Sequence, residues 1–195
     1  MTKGTRSKKL SRDAILSEAK RLFSKRGYKG TTLQDLTQSF GVSRPSIYYY
    51  YKNKMEILSE LHSQGFNEAR LELDRILQTD LPTREKFRKI LMAHTQTLAK
   101  DTELHKIFYL DEVEMPLKLR KEIRKRRRSY TERIIEEYRK GIDKGIFRNI
   151  DPKMAVYLLL GSCNWLTLWY SPKKGVDPDR IVEYLMSILS QGYEK

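Results

Sequence analysis

Apolar residues recur at intervals of three and four along most of the chain, and no segment alternates between apolar and polar residues as a strand would. This periodicity predicts amphipathic α-helices, each with one face turned to a core. The segments with this pattern are 11–26, 54–79, 84–100, 103–112, 117–144, 151–170 and 177–191. Two shorter helices are predicted between residues 32 and 51, so we expect an all-α fold of about nine helices.

The ends of the short helices are predicted by their turn and cap residues. Thr32 is a suitable N-cap, and Asp35 three residues later forms an acidic variant of the capping box. Gly41 can take the left-handed conformation that ends this helix, Ser43 is suited to cap the next one, and Pro45 fits its first turn. Three short helices joined in this way are typical of a helix-turn-helix unit, whose last helix enters the major groove of DNA.

The last of these helices, about two turns long, carries four consecutive tyrosines. Ile47 and Tyr51 are four residues apart and can form a buried stripe, which leaves the tyrosines at positions 48, 49 and 50 pointing outward with their hydroxyl donors. Taken alone, a tyrosine run is as compatible with core packing or an aromatic surface patch as it is with DNA recognition. Its place directly after the predicted turn favours a DNA-recognition element.

Positive charge is concentrated at the N-terminal end of the chain. The formal net charge is +14, and residues 1–54 hold 13 Lys and Arg against 3 Asp and Glu. A local excess of this kind is the expected footprint of phosphate binding, whereas the alternative is a solvated basic face without a partner. We expect residues 1–10, with their four basic side chains, to be disordered when free and able to lie along phosphates or in a minor groove.

The residues of this region resemble the N-terminal domain of the TetR/AcrR family of transcriptional regulators. The shared positions are Gly27-Tyr28, Thr31-Thr32, Gly41-Val42-Ser43 and residues 47–58. The chain departs from the family pattern at three positions: the family usually has Ala at Thr37, often Ala at Phe40 and usually Phe at Tyr51. The resemblance implies that the recognition helix and the start of the next helix contact double-stranded operator DNA.

Carried over position by position, the family pattern nominates seven DNA-binding residues. They are Thr32, Arg44, Ser46, Tyr48, Tyr49, Tyr50 and Lys54. We expect Arg44 to contact a guanine, because arginine pairs with that base through two hydrogen bonds. Tyr48, Tyr50 and Lys54 are expected to contact phosphates, which position the protein without specifying sequence.

Residues 1–54 are therefore predicted to form a DNA-binding domain, and residues 55–195 a ligand-binding and dimerisation domain. The second part is similar to a branch of the family that regulates lipid and aromatic-acid catabolism. The similar positions are residues 141–148, Asn164-Trp165, Trp169-Tyr170 and Asp177-Pro178. The resemblance implies a repressor that leaves its operator when a small apolar or acidic metabolite, such as an acyl-CoA, binds. The alternative is an architectural DNA-binding protein without an effector.

A homodimer is predicted from the last two helical segments. Residues 151–170 are apolar on nearly all sides, so this helix must bury one face in its own subunit and another elsewhere. Residues 177–191 have one apolar face, and the two helices with their symmetry mates could form a four-helix interface. The alternative is a helix buried wholly within one subunit.

The effector prediction depends on Arg127. At about 100° per residue, Arg127 falls in the same helical arc as Ile123, Tyr130 and Ile134, which predicts that its charge points to the interior and needs an acidic partner. That partner is either a carboxylate of Asp111, Glu112 or Glu114, or the acidic head of a ligand, with Arg124 and Arg128 near the pocket mouth. The predicted ligand-binding residues are Phe87, Leu91, His94, Phe108, Arg127, Tyr130, Ile134, Asn164, Trp165 and Trp169.

Other classes of function find little support in the sequence. The three histidines lie in different segments without ligand spacing, and there is no glycine-rich phosphate loop, so an enzyme is a distant third and no cofactor or metal is expected. The single cysteine, Cys163, excludes an internal disulfide and fits a reducing, cytoplasmic compartment. Residues 151–170 are interrupted by polar residues and are not expected to cross a membrane. Residues 1–10 are basic and polar without an apolar segment, so they are not expected to act as a secretory signal.

Overall fold

The computed structural model describes residues 9–110, 112, 115–171 and 175–193, and these residues form nine helices and no β-strand. The helices are α1 (Arg12–Arg26), α2 (Leu33–Phe40), α3 (Arg44–Tyr48), α4 (Lys54–Leu77), α5 (Thr83–Lys100), α6 (Thr102–Leu110), α7 (Leu117–Asp143), α8 (Pro152–Trp169) and α9 (Pro178–Tyr193). The predicted all-α class is confirmed. Residues 1–8 of the predicted N-terminal arm lie outside the described residues.

Local capping explains where the short N-terminal helices begin and end. The Thr32 hydroxyl accepts a hydrogen bond from the backbone N–H of Asp35, whose carboxylate accepts one from the backbone N–H of Thr32, as the capping box predicts. Gly41 ends α2 in the left-handed conformation, at φ 64° and ψ 32°. Ser43 is the N-cap residue of α3, but its hydroxyl hydrogen bonds with the Ser46 hydroxyl at 3.0 Å instead of capping the backbone.

Two clusters of buried apolar side chains form the core. The N-terminal cluster joins α1, α2 and α3 to the first half of α4, and it also receives α6 and the start of α7. The C-terminal cluster joins the second half of α4 to α5, α7, α8 and α9. The core around the helix-turn-helix therefore extends beyond residue 54, through Ile57 and Leu58 of α4 and Ile107 of α6.

A group of aromatic rings closes the C-terminal cluster at the end of α7. The Tyr138 and Phe147 rings stack with centroids 5.0 Å apart, and the Phe87 ring meets them at a steep angle, 5.5 and 5.3 Å away. Phe147 packs so closely on Gly141 that an added Cβ would come within 2.1 Å of its ring. A larger residue at position 141 would therefore displace Phe147 from the core.

Large apolar side chains cover the outward faces of α8 and α9. The exposed ones are Met154, Tyr157, Leu158, Trp165 and Trp169 on α8, with Tyr184 and Ile188 on α9. The opposite face of α8, including Val156 and Leu166, is buried in the C-terminal cluster. The alternative that α8 is buried wholly within its own subunit is therefore wrong. Among the described residues, no helix combines the length and apolar character needed to cross a membrane.

Candidate DNA-binding surface and ligand cavity

Helix α3 is shorter than predicted and exposes two tyrosines. It spans only Arg44–Tyr48, a little over one turn, because the next two residues continue as a turn. Ile47 and Tyr51 are fully buried, as their spacing predicts. Tyr48 is 50% exposed and Tyr49 is 85% exposed. These two rings are the apolar surface that α3 offers to solvent.

Tyr50 does not point fully outward, so that part of the prediction is wrong. Its side chain is half-buried and packs against the N-terminal cluster, while its ring meets the Tyr49 ring edge-on at 5.1 Å. The backbone N–H groups of Tyr50 and Tyr51 both donate to the Ile47 oxygen, so Tyr50 lies in a tighter turn than α-helical spacing assumes, whereas Tyr51 keeps the four-residue spacing.

The predicted DNA contacts near the start of α3 are held by local hydrogen bonds. The exposed Arg44 guanidinium donates to Oε1 of Gln34 in α2 at 2.5 Å. Ser46 is half-buried, and its hydroxyl hydrogen bonds with the Ser43 hydroxyl as described above. The exposed Thr32 hydroxyl donates to the Asp35 carboxylate at 2.6 Å, and this bond lowers the pKa of Asp35. These side chains are positioned at the surface, and their roles in DNA binding stay predictions.

Lys54 has a structural role that the sequence did not indicate. Its ammonium donates to the backbone oxygen of Tyr28 at 2.6 Å and to that of Thr31 at 2.8 Å, and it lies 4.3 Å from the centroid of the Tyr28 ring. Lys54 therefore ties the first turn of α4 to the connection between α1 and α2.

A cavity of about 530 Å³ lies between α4, α5, α6, α7 and α8. Most of its wall is apolar and includes Phe66, Ala69, Leu98, Leu104, Phe108 and Leu160. Three arginines of α7 also line it, namely Arg124, Arg127 and Arg128. Their side chains are between 52% and 79% exposed, so the positive charge lies at the mouth of the cavity.

Half of the predicted ligand-binding residues line this cavity. Those that do are His94, Phe108, Arg127, Tyr130 and Asn164. Those that do not are Phe87, Leu91 and Ile134, which are buried in the C-terminal cluster, and Trp165 and Trp169, which lie on the outer face of α8. Helical spacing identifies an apolar face, but it does not say whether that face meets a core, a cavity or solvent.

Arg127 is exposed, so the prediction that its charge points to the interior is wrong. Its long side chain carries the guanidinium from the apolar arc to the cavity mouth. There it reaches the Glu112 carboxylate at 3.1 Å, and Arg124 reaches the same carboxylate at 2.6 Å. Burial acts to raise the pKa of Glu112, but the bonds from the two arginines outweigh it and lower that pKa. Of the predicted alternative partners, Asp111 and Glu114 lie outside the described residues.

The three histidines, which the sequence places in separate segments, all line this cavity. They are His62 of α4, His94 of α5 and His105 of α6. Burial is the main cause that lowers the pKa of His62 and of His94, each to about 4, so both rings are neutral at pH 7. The signal available in the sequence was that His62 and His94 each sit within an apolar helical pattern. Among the described residues, no three His, Cys, Asp or Glu side chains are grouped as a metal site.

A hydrogen-bonded chain of three side chains crosses the cavity wall from α7 through α5 to α8. The Tyr130 hydroxyl lies 3.4 Å from Nδ1 of His94, and Nε2 of His94 lies 3.1 Å from Oδ1 of Asn164. Because Oδ1 of Asn164 can only accept, Nε2–H of His94 donates to it, and Nδ1 accepts from the Tyr130 hydroxyl. The chain puts polar groups into a wall that is otherwise mainly apolar.

Helix α6 borders both the cavity and the helix-turn-helix core. Leu104 and Phe108 line the cavity and also belong to the N-terminal cluster. At the start of α6, Asp101 accepts an ion-pair bond at 2.7 Å from Lys20 of α1. A change in the cavity therefore has a direct packing route to α1.

Comparison with known proteins accounts for both parts of the chain. Residues 15–61 match the family described as "Bacterial regulatory proteins, tetR family", and residues 80–193 match "Tetracyclin repressor-like, C-terminal domain". A relative, the HTH-type transcriptional repressor KstR2 of Mycolicibacterium smegmatis, is 24% identical over 190 residues, which are 93% of this chain and 89% of KstR2.

Two solved structures extend the comparison to the fold. A TetR/AcrR-family regulator from Thermobifida fusca is 30% identical with a TM-score of 0.73, over 94% of this chain and 98% of that one. AibR, solved in complex with isovaleryl coenzyme A and operator DNA, is 22% identical with a TM-score of 0.79, over 91% and 96% of the two chains. Because both domains and the whole fold match, the chain belongs to the TetR family of DNA-binding bacterial transcriptional regulators.

Proposed function

We propose that this protein is a two-fold dimer that represses transcription from operator DNA and leaves it when an acyl-CoA, or a similar apolar metabolite with an acidic head, binds in the cavity. One observation carries the proposal: a cavity of about 530 Å³ with a mainly apolar wall and an arginine-lined mouth shares helix α6 with the helix-turn-helix core. An architectural protein without an effector has no use for such a cavity.

On the DNA side, we assign base recognition to Arg44. It is exposed at the first position of α3, and a bidentate pair with guanine contributes roughly 1–3 kcal/mol of discrimination. The exposed hydroxyls of Tyr48 and Tyr49 are suited to phosphates. Thr32, Ser46, Tyr50 and Lys54 complete the set that the family pattern implies.

We assign the outward faces of α8 and α9 to the dimer interface. An apolar surface of this extent on a soluble protein marks an interaction site, and two helices with their symmetry mates give a four-helix interface. Sedimentation at micromolar concentration should give a dimer. Trp165→Glu combined with Ile188→Glu should give a monomer with little operator affinity, whereas a monomeric wild type would contradict the assignment.

The chemistry of the cavity supports the ligand class. Apolar side chains around an elongated ligand suit an acyl group, whose burial gains about 0.8 kcal/mol per CH₂. Arg124, Arg127 and Arg128 suit the phosphates of coenzyme A or a free carboxylate. AibR, which has the same fold, binds isovaleryl coenzyme A, and this supports a thioester of coenzyme A as the ligand.

The route from ligand to DNA runs through Glu112. An acidic head at the mouth competes with Glu112 for Arg124 and Arg127. Glu112 lies two residues after the end of α6, and α6 packs into the N-terminal cluster. Losing the Glu112 contact therefore alters the position of α6 against the helix-turn-helix. The ligand can weaken DNA binding by as much as its affinity differs between the two arrangements.

Native mass spectrometry of the purified protein with a panel of acyl-CoA thioesters and the matching free acids tests the ligand class. Fluorescence anisotropy with an operator selected from a random DNA pool then tests release. We expect at least one thioester to bind and to weaken operator affinity, and Arg127→Ala to reduce thioester affinity about tenfold.

Arg139→Ala is the matched control, because Arg139 is an exposed arginine of α7 that pairs with Glu136 and does not line the cavity. A panel in which nothing binds, or in which binding leaves operator affinity unchanged, contradicts the proposal and leaves DNA binding without an effector.

A further inference from the structure

The cavity contains a polar patch that neither an acyl chain nor an acidic head explains. This polar patch consists of Tyr130, His94 and Asn164, joined by hydrogen bonds of 3.4 and 3.1 Å. All three residues line the cavity, where the surrounding wall includes the apolar side chains of Leu98 and Leu160. A saturated acyl chain would leave the patch without a partner.

The Asn164 amide is the part of the polar patch with unused donors. Its oxygen accepts from His94, and within the described part of the chain its amide nitrogen makes no hydrogen bond. An apolar ligand packed against this nitrogen would displace its water without providing a hydrogen-bond acceptor. Leaving the donor unpaired in this way costs about 1–3 kcal/mol of binding free energy. A ligand oxygen placed there would accept from Asn164 and remove that cost.

The polar patch suits a neutral oxygen better than an acid. Burial lowers the pKa of His94 to about 4 and raises the pKa of Tyr130, so neither side chain carries charge at pH 7. Tyr130 is buried, whereas the side chains of Arg124 and Arg127 are more than half exposed. The acidic groups of a ligand are therefore better stabilised at the mouth, and the polar patch is left for an uncharged hydroxyl or carbonyl.

We propose that the effector is an acyl thioester whose acyl part carries a hydroxyl or carbonyl oxygen, and that the Asn164 amide donates a hydrogen bond to that oxygen. This inference rests on the acyl-CoA function proposed above and narrows it to oxygenated acyl groups. Asn164 is then a specificity-determining residue, because its amide favours an oxygenated acyl group over a plain one of the same length. Tyr130 is a positioning residue, because its hydroxyl holds the His94 ring that orients Asn164.

Isothermal titration calorimetry of the full-length protein with three thioesters of equal chain length tests the inference. The probes are octanoyl-CoA and its derivatives with a hydroxyl on the third carbon or on the terminal carbon of the acyl chain. We expect at least one hydroxylated thioester to bind about tenfold more tightly than octanoyl-CoA, since sites built around a hydrogen bond reject analogues that lack it.

Asn164→Leu keeps the approximate volume of the side chain and removes the amide. We expect this variant to bind the preferred hydroxylated thioester no more tightly than octanoyl-CoA, with octanoyl-CoA affinity retained. Asn67→Leu is the matched control, because Asn67 is exposed on α4 and does not line the cavity. Tyr130→Phe removes only a hydroxyl and should also reduce the preference, which keeps the test decisive if Asn164→Leu does not fold.

Each other outcome overturns the inference in a distinguishable way. Equal affinity for the three thioesters would make the inference wrong and leave the acyl-CoA function intact. Equal loss of affinity for all three in a folded Asn164→Leu protein would assign the polar patch to the thioester carbonyl that they share. If none of the three thioesters binds, the inference is wrong, and the wider panel of thioesters and free acids described above decides separately whether the proposed function stands.

Discussion

Lys54 joins the helix-turn-helix to the following helix through its side chain. Three ammonium protons face the backbone oxygens of Tyr28, Lys29 and Thr31, at 2.6, 3.3 and 2.8 Å. The family pattern implies that Lys54 contacts a DNA phosphate, but protons already donated to carbonyls are less available to a phosphate. Stability and DNA binding therefore need separate measurements.

We expect Lys54→Ala to lower the free energy of unfolding by about 1–3 kcal/mol, because it leaves backbone oxygens at the turn without their charged donor. Urea denaturation measures this change. Lys52→Ala, at an exposed position two residues earlier, should stay within about 0.5 kcal/mol of wild type. If operator affinity and its salt dependence are the same for folded Lys54→Ala and wild type, the phosphate assignment is wrong.

Arg44 is the residue at which sequence specificity can be tested. Its guanidinium is exposed and held by Gln34, so its removal should cost roughly 1–3 kcal/mol on the selected operator and much less on DNA of scrambled sequence. Anisotropy titrations on the two DNAs measure the difference. Equal losses on both would reassign Arg44 to a phosphate.

Residues whose role depends on neighbours in sequence were predicted well. The capping box at Thr32 and the burial of Ile47 and Tyr51 need only helical geometry, and all are confirmed. The prediction that the Arg127 charge points to the interior is wrong, because a long charged side chain can extend away from the helix face that carries its Cα. Helical spacing predicts the direction of the Arg127 Cβ, but it does not predict the position of the guanidinium.

At the scale of elements, the connection between α6 and α7 holds two of the three arginines of the cavity mouth through Glu112. The Glu112 carboxylate accepts hydrogen bonds from Arg124 and Arg127, so it competes with an acidic ligand for these two guanidinium groups. We expect Glu112→Gln to increase thioester affinity by about two- to fivefold, because a partly exposed ion pair contributes roughly 0.2–1 kcal/mol. Calorimetric titration with the best-binding thioester of the panel measures this.

Glu136→Gln serves as the control for Glu112→Gln, since Glu136 pairs with Arg139 away from the cavity lining. Unchanged or weaker thioester binding by Glu112→Gln would show that Glu112 does not compete with the ligand. Pro116 and the apolar spacing predict the ends of the helices around this site. They do not predict that Glu112, which follows α6, pairs with arginines of α7.

At the scale of the whole molecule, folding brings the histidines together and determines their charge. The pKa of His62 and of His94 falls from 6.5 to about 4 in the folded chain. Between those values the unfolded chain binds more protons, so stability is full above about pH 6.5 and decreases as the pH falls toward 4. Carboxylates with a lowered pKa, such as Glu60, add to this decrease as the pH approaches 4.5, so the upper part of the window reports on the histidines.

Thermal melts between pH 4 and 7.5 should therefore show a melting temperature that falls with pH below about 6.5. His62→Phe should weaken this dependence while it preserves the ring contacts with Phe66 and Phe108. A melting temperature that is constant from pH 6.5 to 4.5 would contradict the burial of neutral histidines.

No periodicity in the sequence joins the three histidines, because the cavity that they line is formed by helices far apart along the chain. The fold class, the family and the helix-turn-helix follow from local patterns that recur in order. The cavity does not follow from such patterns, because residues of five helices form its wall. The apolar face that carries Phe87 has the same spacing as a cavity-lining face, and only the packing of the helices shows that Phe87 belongs to the core.

Leu104 and Phe108 belong both to the cavity wall and to the N-terminal cluster, and this restricts how the regulator can acquire a new ligand. Trimming either side chain would enlarge the cavity, but removing a core phenylalanine costs about 3–5 kcal/mol, and here the loss falls on the DNA-binding domain. Gly161 borders the cavity with open space around its missing Cβ and belongs to neither core cluster. Adaptation to new metabolites, in nature or in the construction of biosensors, is therefore expected to proceed through α8 and to leave α6 unchanged.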